Sequence, residues 1–482
     1  MKRFVLFSGV ALVVILFPQS VQAGWTRTYG ADQDDVGYCV QETSDGGYII
    51  AGRLQGEGGW LLRIDEEGDT LWTSSPFGFM GGAAYSVAKT SDGGYILAGY
   101  QAATDDGKYH LALVKISSTG EEMWIRLDGY WFPHDSTGGV GRSVQETADG
   151  GYILAGYRQP FIFGEITDLW LIKTDSAGDF QWSKTYGAEN PDCGLCVRQS
   201  SDGGYIISGY SESLNSLWLL KTDEQGDTLW TLSSSQSWCA GRGYCVQEIS
   251  DGGYIATGCV APFWDGKDHL YLLKIDSEGD TLWTRGDWQW FDEGSGGVGC
   301  SVQETPDGGY IIAGYTSPWF DEIEDLWLIK TDSEGDTLWT RIYGGEAEDL
   351  ANCVDQTADG GYIIAGETKS FGAGGYDLWL LKTDASGDTL GIVEEPPVTP
   401  VTHPSNWRLR ASVGQQIVLQ YSDFPHGFYA QVFNATGRRV DELHSTEQSG
   451  TVTWPAAHQS PGVYFIKQVG QTEPLAKVVL IR

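Results

Sequence analysis

Two stretches of this chain place acids among large aromatic rings. Asp128, His134 and Asp135 stand in "LDGYWFPHDSTGG", and Asp287, Asp292 and Glu293 in "RGDWQWFDEGSGG". Two carboxylates held on either side of a sugar can cleave a glycosidic bond, one as acid and the other as base or nucleophile. The two stretches differ in detail, because His134-Asp135 has no histidine counterpart beside Asp292-Glu293. Acids are also common along the whole chain, which favours solvated loop acids over a catalytic pair.

The rings raise a second chemistry. Tyr130, Trp131 and Phe132, Phe163 in "QPFIFGEITD", Trp264 in "APFWDGKD", Trp288, Trp290 and Phe291, and Trp319 and Phe320 in "SPWFDEIED" all fall between repeated segments. Aromatic faces stack on the apolar faces of sugars, while Asp and Glu accept hydroxyl hydrogen bonds. Tyr130, Trp131, Phe132, Asp135, Phe163, Trp264, Trp288, Trp290, Asp292 and Trp319 are therefore the candidate ligand-binding set, for a glycan or a protein. The plainer alternative is that these rings pack as loop cores. No catalytic residue, metal set or cofactor is assigned.

Other reactive groups read as structural. Cys193-Gly-Leu-Cys196 has redox spacing but no helix signal around it. Cys39, Cys196, Cys245, Cys300 and Cys353 fall in or beside one repeat position that Ser86, Ser143 and Ser301 fill elsewhere, as expected of a small buried side chain. Pairing of Cys239 with Cys245, or of Cys259 with a neighbour, stays open. The "DSEGD" turns lack the oxygen density of a dedicated calcium loop.

The elements that must position these groups are repeats. Asp-Gly-Gly-Tyr begins at Asp45, Asp92, Asp149, Asp202, Asp251, Asp307 and Asp359, 47 to 57 residues apart. One unit reads "CSVQETPDGGYIIAGYTSPWFDEIEDLWLIKTDSEGDTLWTRIYGG", four β-rich runs closed by turn residues. Asp-Gly-Gly is expected to supply the positive φ angles of a tight turn. Four strands per unit and seven units predict an all-β, seven-bladed β-propeller.

Six units carry a fourth-strand tryptophan: Trp72, Trp124, Trp182, Trp230, Trp283 and Trp339. The seventh has Gly391 there, whereas the chain's "GWTRTYG" near the start matches "LWTRIYGG". The strand containing Trp25 is thus expected to complete blade 7. The tryptophans are expected to pack between blades. The cation ending each third strand (Arg63, Lys115, Lys173, Lys221, Lys274, Lys330 and Lys382) is expected to pair with turn carboxylates. "GKYHLALVK" and "GKDHLYLLK", with "STGGVGRSVQET" and "GSGGVGCSVQET", mark blades 1–3 and 4–6 as copies of one triplet. Alternating turns put the constant "DGGY" and "DSEGD" turns on one face of the ring and the variable aromatic loops on the other.

Thirty Lys and Arg against 65 Asp and Glu give a net charge of −35. That field argues against nucleic acid and anionic lipid as partners, because phosphates would be repelled. Residues 1–23, "MKRFVLFSGVALVVILFPQSVQA", have the charged start, apolar run and small-residue end of a secretory signal. The expected organisation is signal 1–23, propeller 24–392, Pro-rich linker 393–406 and a small β-sandwich 407–482.

The last 75 or so residues carry "VFNATGRRVDEL" (Gly437, Arg438, Val440), Trp454, "SPGVYFIK" (Pro461, Gly462, Tyr464, Lys467) and a terminal "KVVLIR". This combination resembles the C-terminal sorting domain of type IX (Por) secretion cargo, with "WPAAHQ" in place of the usual Trp-Asp-Gly stretch. The resemblance implies recognition by type IX secretion machinery, passage across the outer membrane, and release or attachment at the cell surface. The alternative is a related immunoglobulin-like module without a sorting function. The "TDSEGDTLW" turns resemble the Asp-box of sialidases and the repeat of quinoprotein dehydrogenases, with shifted spacing that transfers no activity. The sequence thus favours a secreted or surface binding protein. A carbohydrate-active hydrolase or lyase and a structural surface protein are the alternatives.

Overall fold

In the computed structural model the described residues are 24–389, apart from 31–32, 77–80, 103–107, 129–137, 159–166, 188–189, 213, 215, 234–238, 263–266, 288–295 and 318–322. In the tail they are 407–411, 417–421, 428–434, 438–446, 449–454, 462–468 and 476–480. The chain divides between Pro396 and Pro397 into two compact units.

The first unit is a ring of seven four-stranded antiparallel sheets. Blade 3 shows the plan: Gly139–Glu146, Tyr152–Arg158, Asp168–Thr174 and Phe180–Tyr186 pair in sequence order. The N-terminal strand completes blade 7 as expected. Trp25–Tyr29 pairs antiparallel with 378–382, from Trp25 opposite Lys382 to Tyr29 opposite Leu378. Thr26 Oγ1 accepts from Trp379 Nε1 at 2.6 Å, as Thr340 Oγ1 does from Trp327 Nε1 at 2.5 Å in blade 6. A strand edge that would present unpaired amides is covered.

Each "DGGY" turn is a polar hub. Asp149 Oδ1 accepts from Thr147 Oγ1 at 2.5 Å and Gly151 N at 3.0 Å, while buried Lys173 Nζ donates to both carboxylate oxygens. The same Lys–Asp pair closes five other blades at 2.7–2.9 Å, and Arg63–Asp45 takes its place in blade 1. The two glycines do different work, which corrects the sequence expectation. Only the first has positive φ, +79° at Gly150. A Cβ on Gly151 would meet Thr174 O at 2.2 Å, so the second glycine admits the third strand's backbone.

Blades lock through the outer tryptophans. Trp124 packs on Tyr152 of the next blade with ring centroids 6.0 Å apart, and Trp25 likewise on Tyr48, joining blade 7 to blade 1. Gly178, φ +77°, lies so close that a Cβ would stand 2.4 Å from Trp124. The "DSEGD" carboxylates are used locally. Asp175 Oδ1 accepts from the amides of Ala177 and Asp179, and Asp179 pairs with Arg126 of the preceding blade.

The second unit has a three-stranded sheet (Trp407–Ala411, Ile417–Tyr421, Gly450–Trp454) and a four-stranded one (Arg439–Ser445, Phe428–Asn434, Gly462–Gln468, Ala476–Leu480). Trp454 is fully buried and its Nε1 donates to Asp441 Oδ2 across the two sheets, giving a small sandwich. Arg438 is exposed before its strand, Gly462, Tyr464 and Lys467 lie on the third strand of the four-stranded sheet, and Gly437 is outside the described residues.

Candidate functional site

All ten candidate ligand residues, Tyr130, Trp131, Phe132, Asp135, Phe163, Trp264, Trp288, Trp290, Asp292 and Trp319, lie outside the described residues. So do His134 and Glu293. Their flanks are described. The strands that bracket them run to one face, opposite the "DGGY" and "DSEGD" turns.

Asp128 and Asp287, considered as catalytic acids, are buried instead against imidazoles. His110 Nδ1 lies 2.6 Å from Asp128 Oδ1, and His269 Nδ1 lies 2.8 Å from Asp287 Oδ1. Asp287 Oδ2 also accepts from Leu270 N at 3.1 Å. Each pair fastens the end of a fourth strand to the start of a third, at equivalent places in blades 2 and 5. The duplicated "GKYHL" and "GKDHL" thus anchor the base of each aromatic loop, a positioning role for both acids.

Elsewhere on this face carboxylates crowd at blade junctions. Asp35 and Asp377 both close on Gly30, where a Cβ would stand 2.3 Å from one and 2.9 Å from the other. Burial, then the neighbouring Asp35 charge, pushes the Asp377 carboxyl up to about 6. Asp325 is raised by burial and by Asp349 in the same arrangement.

The ring has a central channel of about 530 Å³, lined by all seven blades. Its construction rests on one device. In every first strand the pairing skips a residue between a small residue (Gly or Ala) and the following Cys or Ser, a β-bulge repeated seven times. A bulge re-aims the extra side chain. The extra residues are Tyr38, Tyr85, Arg142, Leu195, Tyr244, Cys300 and Asn352, and each lines the channel.

The neighbours of the bulge hold the ring shut. Cys39 Sγ donates to Val87 O at 3.5 Å, Cys196 Sγ to Val246 O at 3.6 Å and Cys353 Sγ to Val40 O at 3.6 Å, while Ser143 Oγ accepts from Val197 N at 3.1 Å. Each bond reaches the next blade, and Cys353 joins blade 7 to blade 1. One step further, Gln145 Oε1 accepts from Gln199 N at 2.7 Å and Asp355 Oδ2 from Glu42 N at 2.9 Å. Cys39, Cys193, Cys196, Cys245, Cys259, Cys300 and Cys353 are free thiols. Burial pushes the Cys193 thiol up to about 12. Cys196 faces Cys245 of the next blade, so the two residues of the Cys-Gly-Leu-Cys run do not act together.

Towards the loop side, second-strand residues complete the lining: Tyr157, Tyr210, Tyr315 and Glu367. Tyr38, Tyr85, Tyr100 and Tyr109 form a file of rings, with centroids 4.8, 5.9 and 4.6 Å apart, that leads from the channel to exposed Tyr109. Arg142 lies 4.0 Å above the Tyr85 ring and 6.0 Å from Tyr157, and Arg242 is 5.4 Å from Tyr210. Burial raises the phenols of Tyr38, Tyr244 and Tyr315, keeping them protonated donors, and pushes Glu367 up to about 7 against the pull of Arg53.

The channel set was missed in the sequence, although a signal was present. In the run Gly/Ala-x-Cys/Ser-Val, x takes five residue types over seven copies while each of the other three positions takes one or two.

No family model matches the chain, and no curated protein matches it. Several solved structures are similar in fold. The WD40 domain of Neurospora crassa Pan2 is 10% identical over 74% of this chain and 97% of its own, with a TM-score of 0.44. An α-L-arabinanase of Penicillium chrysogenum, complexed with arabinobiose, is 11% identical over 62% and 92%, with a TM-score of 0.44. A protein of unknown function from Dyadobacter fermentans is 14% identical over 62% and 93%, with a TM-score of 0.43. At these values none of them bears on activity. The chain is a seven-bladed, four-stranded β-propeller followed by a small two-sheet unit.

Proposed function

We propose that this protein is a non-enzymatic binding protein of the cell exterior that holds its ligand on the loop side of the ring. One observation carries the reading. Seven first strands share the run Gly/Ala-x-Cys/Ser-Val, and through the same bulge they present five kinds of side chain to the channel: tyrosine in three blades and arginine, leucine, cysteine and asparagine in one each. A scaffold that holds the flanks of a bulge and varies its inward residue suits recognition. The aromatic loops around the mouth would extend the surface, with stacking rings suited to a glycan. Export rests on the signal-like start and the tail's resemblance to type IX sorting domains, with the secretion machinery as the tail's partner and the outer-membrane surface as its destination.

The hydrolase alternative is weakened by the engagement of Asp128 and Asp287 with His110 and His269. A glycan-array screen of the full chain beside a Trp288→Ala/Trp290→Ala variant tests the reading. Glycan binding lost in the variant supports it. Absence of binding by folded protein to every glycan removes the glycan and turns the search to surface proteins.

A further inference from the structure

The channel contradicts the charge of the chain that surrounds it. In a protein of net charge −35, Arg142, Arg198 and Arg242 line one cavity, faced by Glu367, whose carboxyl sits near neutrality in its own titration. Four other arginines of the ring lie outside the channel and are paired, Arg63 with Asp45, Arg126 with Asp179, Arg285 with Asp336 and Arg341 with Asp388, while Arg53 stands beside Glu367. Among the described residues the three channel arginines form no ion pair, and Arg242 is hydrogen-bonded to Tyr244. Arg142 is held between Tyr85 and Tyr157, and its buried Nε has no hydrogen-bond acceptor. Arg198 spends one nitrogen on Val197 O at 2.8 Å and Ser143 Oγ at 3.4 Å, at the level of the Cys/Ser ring.

From these contacts we infer that the channel is a binding site for a small organic carboxylate carried on a ring, of the hexuronate class. A guanidinium held flat on an aromatic face keeps its edge free, and that edge offers the paired donors a carboxylate accepts. Protonated phenols of Tyr38 and Tyr244 supply further donors, and their faces take the apolar side of the ring. The lining sets three guanidiniums, which only donate, against one carboxylate, Glu367, which suits an acceptor-rich ligand. About 530 Å³ accommodates one or two sugar units. The protein walls focus the positive potential of the three arginines, so a small anion enters where a polyanion meets only the acidic exterior.

This inference rests on reading the ring as a binding platform, but uses residues separate from the aromatic loops. Calorimetric titration of the full chain with D-glucuronate, D-glucose and acetate tests it. Glucuronate is expected to bind at least 10-fold tighter than either control, because glucose lacks the charge and acetate the ring. Arg142→Ala should weaken glucuronate at least 10-fold, Arg142→Lys should recover only part of it, and Arg285→Ala, on the outer face, should change nothing. If Arg142→Ala does not fold, the wild-type protein decides through salt. Glucuronate affinity should fall severalfold between low and 0.5 M NaCl. Equal binding of glucose and glucuronate, or salt-independent binding, overturns the inference. A Trp288→Ala/Trp290→Ala variant separates it from the loop-face reading. Glucuronate binding retained there, with glycan binding lost, supports both sites. Glucuronate binding lost there and kept in Arg142→Ala overturns the channel while leaving the loop face standing.

Discussion

Replacing Trp25 by alanine perturbs the ring where its two ends meet. Trp25 is 8% exposed, packs edge-on against Tyr48 of blade 1 and donates from Nε1 to Glu66 O at 2.9 Å. Truncation removes that packing, leaves a cavity between blades 7 and 1 and deprives Glu66 O of its donor. Burial and cavity terms for Trp→Ala together cost about 3–5 kcal/mol. Unfolding entropy of about 2.1 cal/mol/K per residue gives roughly 0.8 kcal/mol/K for a ring of roughly 360 residues, so 4 kcal/mol lowers Tm by about 5 °C. Differential scanning fluorimetry of the full chain reads this directly. Leu338→Ala is the comparison, since Leu338 sits on a fourth strand of blade 6 but is 58% exposed. It should shift Tm by less than about 1 °C, the effect of an exposed substitution. A Trp25→Ala shift as small as that of Leu338→Ala would refute the reasoning, because the first strand would then contribute nothing to closure.

Acid titration should show two opposed windows. Hydrogen bonds and the paired lysine hold Asp92, Asp149 and Asp307 down at about 2 against the opposing effect of burial, so their contribution is present above the ordinary value of 3.8 and lost as pH falls towards 2. Glu367 and Asp377 are raised, so the folded state holds their protons more tightly and stability declines as pH rises from about 4 to 7. Maximum Tm is expected near pH 4–5, and a monotonic rise to pH 8 would contradict both assignments. Glu367→Gln should raise stability at pH 8 by at most about 3 kcal/mol, the worth of a shift from 4.5 to about 7, and have little effect at pH 4. Asp202→Ala leaves Lys221, 2% exposed at its side chain, without its carboxylate; because Asp202 itself is half-exposed the cost should be about 1–3 kcal/mol by denaturant unfolding, and no measurable loss would show the pair to be dispensable. Native protein at pH 8 should leave Cys193 unmodified by iodoacetamide over hours, because its thiol is buried and raised to about 12; rapid labelling would restore the Cys-Gly-Leu-Cys run as a reactive pair.

The ring was legible because its rules are local and repeated. "DGGY" fixes a turn, the turn aspartate needs a cation, and one cation ends the third strand of every unit, so Lys173 was legible as the partner of a turn carboxylate. Trp25 was legible for the same reason, as the copy missing at Gly391. The site was harder to see. Large rings such as Trp288 and Trp319 stand out in composition, whereas Tyr38 and Arg142 are single letters inside a constant run. Their importance depends on a bulge that the letters do not announce, since Gly-Tyr-Cys-Val reads as an ordinary alternating strand until its pairing skips Tyr38. Asp128 looked like a candidate acid because its partner, His110, lies on a different strand.

The most direct test of the account is hydroxyl-radical footprinting of the full chain with and without a saturating glycan or uronate ligand. Binding on the loop side and in the channel predicts protection of Tyr38, Tyr85 and Tyr244, with Leu229, Leu282 and Leu338 on the outer strands, 54–58% exposed, unchanged. Protection confined to those outer leucines, with the channel tyrosines as reactive as before, would contradict it.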